Sequence, residues 1–435
     1  MKQFVLSAFI FVLSTLFNFN ECWAGDLSLA PAAARKTYIA RSSSTAKAFI
    51  SVTSFGRDIV NSFEYTITSD KGTVVEGTYI FKEAFRKYDT STCEIEFPVN
   101  KTTDITSLTF NINKVNNERN GATLGSCNIP FTFISKFATR KVVVEDFTGM
   151  WCGWCPRGLA MLSYLTRQHP NDFIGIAIHG SSDPLMCRDY YDMTSRINGY
   201  PAITFDRSVD SNDYSGENTF NSERRQGADM DVSVSAVWDR QKRNISITTK
   251  TTFRTRPYRN TYALAYVLTA DGLQSRSYYQ KNYFSGNRQY SGYTNELNYF
   301  VNAPSTISNF KFDHTAISAL GITSGINGSI SQIVVDKPQT HTASFDNISQ
   351  YRVIQDKSKL HVVVLVLNTS TGKIVNADQC EISDHTPSGI ESAPTTDEVV
   401  EVARYNISGA LLDKPVKGLN IVKYSDGRIV KEIVK

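Results

Sequence analysis

A chain of 435 residues, 41% hydrophobic and 20% charged, is long enough to bury several cores, and three folded regions plus a tail are expected. The formal net charge of +4 is ordinary for this length, and no basic cluster or recognition motif accompanies it, so no nucleic-acid partner is expected. Beyond the first residues there is no run of about eighteen apolar residues, which excludes a membrane-spanning helix there.

Residues 1–24 read as a secretory signal peptide. Met1-Lys2 is a short basic start, Phe4 to Phe17 is an apolar stretch too short to span a bilayer comfortably, and Cys22-Trp23-Ala24 offers a small residue at the cut. A lipidated Cys22 is the lesser alternative, because no Leu-Ala-Gly-Cys-like box precedes it. Cleavage after Ala24 leaves Cys93, Cys127, Cys152, Cys155, Cys187 and Cys380 in an exported chain, where thiols can stay oxidised. Cys93 and Cys127 could staple their shared segment, with Cys187 and Cys380 free or paired across domains; for Cys187 a buried structural role is the plainer reading.

Residues 25–135 are expected to form a small β-sandwich. Lys47 to Thr53, Phe63 to Thr68, Val74 to Phe81, Glu94 to Val99 and Ser107 to Val115 are rich in β-branched and aromatic residues, and Asp70-Lys71-Gly72 marks a turn. Spacing or docking suits it, since no catalytic constellation is present.

The chemistry is concentrated in residues 138–225. Lys141 to Phe147 reads as a buried strand, Thr148-Gly149-Met150 as a turn, and Leu159, Leu162 and Leu165 as one face of a helix that stops at His169-Pro170. Between turn and helix lies Trp151-Cys152-Gly153-Trp154-Cys155-Pro156. Two thiols three residues apart at a strand-to-helix junction can open and close a disulfide. The unsatisfied NH groups and dipole of a helix N-terminus stabilise the first thiol as thiolate, and the second can resolve a mixed disulfide. Cys152 is the expected nucleophile and Cys155 the resolving thiol. Zinc needs four ligands, and no second Cys-X-X-Cys or close Cys/His pair is present, so no metal is expected. A purely structural disulfide stays open as an alternative.

This segment resembles the thioredoxin superfamily. The resemblance implies that Asp146, six residues before Cys152, is a buried carboxylate relaying a proton to or from Cys155, and that Gly199-Tyr200-Pro201-Ala202-Ile203-Thr204-Phe205 is a cis-proline loop leading into an apolar strand. Pro201, Tyr200, Trp151, Gly153 and Trp154 would then form the substrate face. A strand, helix, strand, helix, strand order is implied, with Phe173 to His179 in the middle. The central pair is Gly153-Trp154 where thioredoxins have Gly-Pro, which leaves the direction open, since related dithiols range from about −270 mV to about −120 mV.

Residues 228–385 are again β-rich and are expected to form a second sandwich, with strands at Met230 to Trp238, Ile245 to Phe253, Tyr262 to Thr269, Ile330 to Val335 and Leu360 to Leu367. Tyr278, Tyr279, Tyr283, Phe284, Tyr290, Tyr293, Tyr299 and Phe300 crowd one segment; covering a sheet edge or packing a long loop is favoured for them over peptide or glycan binding. His314, His341, His361 and His385 are scattered without ligand spacing and are assigned no chemistry.

After a linker at residues 386–400, residues 401–435 carry Tyr405-Asn406-Ile407-Ser408-Gly409, Lys417-Gly418-Leu419-Asn420-Ile421-Val422 and a terminal Lys431-Glu432-Ile433-Val434-Lys435. This tail resembles the C-terminal sorting domains of type IX secretion in Bacteroidetes, with Asn420 where an aromatic is common. With Val142-Val143-Val144-Glu145-Asp146-Phe147-Thr148-Gly149 leading into Cys-Gly-Trp-Cys-Pro, the whole chain resembles the outer-membrane-protein-28-related family of Bacteroidetes. The fold class expected is multidomain α/β plus β, a central thioredoxin-like fold flanked by β-sandwich, Ig-like domains. The function expected is an exported, envelope-associated thiol–disulfide oxidoreductase, periplasmic or at the surface. It would act on protein or peptide thiols and disulfides, with no cofactor beyond its own pair. A redox partner that recharges the pair is implied, as are secretion machinery and peripheral outer-membrane association. The alternative is a non-enzymatic surface-binding or adhesion protein that keeps the fold as a scaffold.

Overall fold

The computed structural model describes residues 26–384, 401–406, 409–412, 414–424 and 428–434; the expected signal peptide, His385 and the linker at 386–400 lie outside them. The chain divides into two units, Met1–Ser383 and Asp384–Lys435.

The N-terminal strands are β1 (Leu29–Ala33), β2 (Thr37–Ala40), β3 (Thr45–Ser54), β4 (Val60–Ser69), β5 (Gly72–Phe85), β6 (Thr90–Pro98), β7 (Leu108–Val115), β8 (Glu118–Arg119), β9 (Ser126–Asn128) and β10 (Phe131–Ile134). In β3 and β6 period-two alternation turns one face inward. In β3, Ala46, Ala48, Ile50 and Val52 are buried while Thr45 and Lys47 are exposed. The sheet β1-β3-β6 and the sheet β5-β4-β7-β8, with β9 on β7, share one core that includes Leu29, Ile50, Phe63, Phe97 and Phe110. β10 pairs in parallel with β2. The staple between Cys93 on β6 and Cys127 on β9 does not form: both are free thiols, and burial pushes each up to about 11. Cys187 and Cys380 are free as well, pushed up to about 12 by burial.

Next come β11 (Val142–Thr148), α1 (Pro156–Gln168), β12 (Phe173–His179), the one-turn α2 (Tyr191–Thr194), β13 (Ala202–Phe205), β14 (Val209–Asp210) and α3 (Glu217–Arg224). All seven residues of both β11 and β12 are buried, Glu145, Asp146 and Thr148 of β11 among them, because both faces of each strand are covered. β12 lies parallel to β11, and β13 antiparallel on its other side. α1 packs Met161, Leu162 and Leu165 against Val142, Val144 and Phe205, and ends where His169 N–H donates to Leu165 O at 2.8 Å, one residue before Pro170.

The sheet continues past β12. It joins β15 (Met230–Trp238), β16 (Ile245–Phe253), β17 (Tyr262–Ala270), β20 (Thr315–Leu320), β21 (Gln339–Phe345), β22 (Leu360–Asn368) and β23 (Ile374–Ser383) in the order β14-β13-β11-β12-β20-β17-β22-β23-β15-β16-β21, while β18 (Tyr279–Lys281) and β19 (Thr306–Ser308) pair separately. The sheet therefore does not break between residues 225 and 228, where the sequence places a boundary. The link is short: Ala177 on β12 pairs with Thr315 on β20, and Ala177 N–H donates to His314 O at 2.8 Å. A common core of Ile174, Ile176, Val267, Ala316, Val363 and Leu365 explains why it holds. Residues 330–335 are not the expected strand. Ile330 is buried, but Val334 and Val335 are exposed, and the Asn260 amide ties down Ile330 O and Ser331 O instead of a neighbouring strand. α4 (Asn295–Asn302) completes this unit, its N-terminus capped by Thr294, which accepts from Leu297 N–H.

In the second unit β24 (Glu401–Asn406), β25 (Gly418–Tyr424) and β26 (Ile429–Val434) form an antiparallel sheet. Asn420 is buried there, and its amide donates to Val416 O and accepts from Val416 N–H, closing a loop that an aromatic ring could not close.

Candidate redox site

β11 delivers the chain into the turn Gly149–Trp154, and α1 starts immediately after it. Cys155 is the N-cap of α1 and Cys152 lies in the turn before, so the sequence places the first thiol one step too close to the helix. Arg157 N–H closes on Trp154 O at 3.2 Å and Gly158 N–H on Cys155 O at 3.0 Å, drawing the second cysteine into the first helical turn. The two cysteines form a disulfide with their Cα atoms 5.3 Å apart. Cys155 is fully buried, whereas Cys152 keeps 7% of its surface. Access is therefore unequal, in the sense that exchange chemistry needs.

Asp146 lies on β11 beneath that first turn. It is fully buried and neither carboxyl oxygen has a hydrogen-bond partner. Gly158 makes room for it: a Cβ there would fall inside contact distance of the carboxyl group. Burial pushes the Asp146 carboxyl up to about 8, against the weaker pull of the Arg157 charge. A neutral acid behind a disulfide is a proton donor near neutral pH.

One flank of the pair holds Tyr200 and Pro201. The Tyr200–Pro201 peptide is cis, and the Trp151 ring meets the Tyr200 ring edge-on at 5.1 Å. The Tyr200 hydroxyl lies over Gly180, where a Cβ would come within 2.5 Å of it. A cleft of about 570 Å³ beside Pro201 is lined by Phe147, Met193, Arg196, Ile197, Arg207 and Asp210. Its wall is fixed by Arg207, which donates from Nε to Glu145 Oε2 and from Nη2 to Glu145 Oε1, both at 2.7 Å, while Tyr190 donates to Oε1 at 3.1 Å.

The other flank comes from the aromatic segment. Lys281 N–H donates to Met150 O and Tyr283 N–H to Gly153 O, each at 2.8 Å. Gln280 is buried, and its amide nitrogen donates to Cys152 O at 2.9 Å and Gly149 O at 3.4 Å. Trp154 meets Tyr283, Phe284 and Tyr290 edge-on with centroids 5.6, 5.3 and 6.3 Å away.

Behind the turn, His179 at the end of β12 sits opposite Thr148 and is fully buried, with Nδ1 3.1 Å from Asp183 Oδ2. Burial opposes ionisation of Asp183, but His179 and the N–H groups of Met150 and Leu185 outweigh it and hold the carboxyl below its ordinary range. This pair braces the turn through Met150 N–H, which donates to Asp183 Oδ2 at 2.7 Å.

All eight residues singled out from the sequence converge here: Cys152, Cys155 and Asp146 in the centre, Trp151, Tyr200 and Pro201 on one flank, Gly153 and Trp154 on the other. Sequence reasoning missed Gln280, His179 and Asp183, and favoured a packing role for the segment holding Tyr283, Phe284 and Tyr290. The density of rings between 278 and 300 was the available signal; a lone glutamine carries none. Among the described residues no helix is long and apolar enough to cross a membrane, and no group of three or more His, Cys, Asp and Glu side chains is placed to hold a metal ion.

No curated protein matches the chain significantly. Among solved structures, HBP35 of Porphyromonas gingivalis aligns with 14% identity and a TM-score of 0.42, covering 68% of this chain and 99% of its own. A domain of the outer membrane lipoprotein Omp28 from Porphyromonas gingivalis aligns with 11% identity and a TM-score of 0.20, over 37% of this chain and 92% of its own. At the level of family, residues 188–385, which include Pro201 and Gln280 but neither Cys152 nor Cys155, match the family of outer membrane protein Omp28.

Proposed function

We propose that this chain is an exported thiol–disulfide oxidoreductase of the cell envelope, acting on protein or peptide thiols through Cys152 and Cys155 on a thioredoxin-like unit. The observation that carries the reading is the disulfide itself, with one sulfur residue wholly buried, the other partly accessible, and an unpartnered neutral acid beneath them. The match of residues 188–385 to an outer membrane protein family supports the envelope location. The tail supports sorting to the surface through secretion machinery, with peripheral outer-membrane association.

In the oxidising direction a substrate thiolate attacks Cys152 Sγ, the Cys152–Cys155 bond breaks, and a mixed disulfide forms. Cys155 leaves as a thiolate in a fully buried position, where a charge is costly, and the Asp146 carboxyl supplies the proton that neutralises it. A second substrate thiolate attacks the substrate sulfur of the mixed disulfide and displaces Cys152 as a thiolate. The substrate is oxidised by two electrons, the pair is reduced by two, and a redox partner reoxidises it. The reducing direction runs the same steps backwards. Trp151, Tyr200 and Pro201 present the substrate face, with Gly153 and Trp154 on the opposite flank.

The small exposure of Cys152 is the observation that favours the alternative, a binding protein that keeps the unit as a scaffold. Insulin reduction by residues 25–435, alongside Cys152→Ala and Cys155→Ala, separates the two. Exchange predicts turnover by the parent, none by C152A, and a trapped mixed disulfide with C155A; no turnover and no trapped adduct would establish the scaffold.

A further inference from the structure

The segment Gln280–Tyr283 reaches the carbonyls of Gly149, Met150, Cys152 and Gly153 from about 130 residues away. Gln280 Nε2 donates to Cys152 O and lies 3.4 Å from Gly149 O, while Lys281 N–H donates to Met150 O and Tyr283 N–H to Gly153 O. The turn is thus held by carbonyl after carbonyl, with the Tyr283 ring face lying against Gly153: a Cβ there would meet three ring carbons at 2.5 to 2.6 Å. Gln280 Nε2 is also anchored to Lys281 O at 2.9 Å, and Gln280 Oε1 is buried without a donor. Burying Oε1 without a donor is costly, so the net contribution of this side chain lies in the carbonyls that Nε2 holds.

We propose that Gln280 and Tyr283 form a clamp that fixes the Gly149–Gly153 turn in its disulfide-bonded geometry and thereby sets how readily the Cys152–Cys155 pair is reduced. The clamp rests on the exchange reading above. Gln280 is a positioning residue that acts through the Cys152 carbonyl. When two glutathione thiols reduce the pair, the sulfur–sulfur bond breaks, two cysteine thiols and one glutathione disulfide form, and the two sulfurs must separate. A turn pinned at the Met150, Cys152 and Gly153 carbonyls resists that separation, so the clamp favours the oxidised form.

The test is the equilibrium constant of the pair in graded glutathione buffers, read by alkylation and mass spectrometry on residues 25–435. Gln280→Glu keeps the shape but points a carboxyl group at the carbonyls, and should favour reduction about tenfold, equivalent to about 30 mV for a two-electron couple. Gly153→Ala leaves the backbone unstrained, since Gly153 is not in the left-handed region, but pushes the Tyr283 ring away; a similar shift is expected. Adding Tyr283→Ala to Gly153→Ala makes room for the new methyl and should bring the constant back to within about threefold of the parent, a non-additivity that contact between the two predicts. Should Gln280→Glu fail to fold, the Gly153 and Tyr283 variants decide. A shift in Gly153→Ala that Tyr283→Ala does not reverse, or variants all within twofold of a parent that titrates, overturns the clamp alone. A parent pair that never opens overturns the exchange reading and the clamp with it.

Discussion

Asp146→Asn removes a buried acid whose burial is most expensive when it ionises, so its effect on stability should depend on pH in a calculable way. Asp146 rises from 3.8 to about 8 on folding, principally through desolvation. Between those values the native chain holds a proton that the unfolded chain has released. Stability must therefore fall as pH rises, by about 1.4 kcal/mol per pH unit, from near pH 4 until it levels off near pH 8. The full span sets an upper limit of about 6 kcal/mol on the loss. Asn cannot ionise and leaves its own amide unpaired, at a pH-independent cost of about 1–3 kcal/mol. Asp206 is pushed up to about 7 by burial, but it titrates in both proteins and cancels in the difference. The assay is urea unfolding of oxidised parent and variant from pH 5 to 9, followed by tryptophan fluorescence. The variant should gain on the parent steadily up to pH 8 and run parallel above it. A difference that stays constant from pH 5 to 8 would refute a neutral buried Asp146.

Gly158→Ala should destabilise the chain by about 1–3 kcal/mol despite the better helix propensity of alanine, because the methyl collides with the Asp146 carboxyl; Asp146→Ala in the same chain should recover most of that loss in thermal unfolding. Arg207→Met strands the buried Glu145 carboxylate and should cost about 3–5 kcal/mol in denaturant unfolding, part of which Glu145→Gln should restore. After mild reduction at pH 7.5, maleimide should label Cys152 first, while Cys93, Cys127, Cys187 and Cys380, buried or half-buried and with thiols raised to about 11 or 12, should stay unlabelled until the chain unfolds. Peptide mapping of the adducts checks this.

The strands of both β-rich regions were legible because their cause is local. Alternation in β3 and the runs Val142-Val143-Val144 in β11 and Val362 to Leu367 in β22 encode which faces are covered. The Cys152–Cys155 turn was marked by its own spacing, whereas Asp146 and Pro201 were expected only through the resemblance to thioredoxins. Residues 330–335 looked like a strand because apolar residues are dense there, but only Ile330 and, in part, Ile333 reach the core, and Val334 and Val335 are exposed. The continuity of the sheet across residue 228 rests on one paired position, Ala177 with Thr315, and nothing in the composition of either strand announces it. Gln280 was illegible for the same reason. Its role comes from two carbonyls 128 and 131 residues away, a distance across which no periodicity speaks. The proposed Cys93–Cys127 staple failed because proximity in sequence is not proximity of sulfurs: β6 and β9 belong to different sheets.

Exchange stands or falls on whether the Cys152–Cys155 bond opens reversibly at potentials an envelope partner can reach. Residues 25–435 should be equilibrated in graded dithiothreitol and glutathione buffers, quenched by alkylation and mapped by mass spectrometry. The account predicts a single reversible two-electron transition at Cys152 and Cys155, well above about −300 mV. A bond that remains closed below about −300 mV would make it a structural staple and contradict the account.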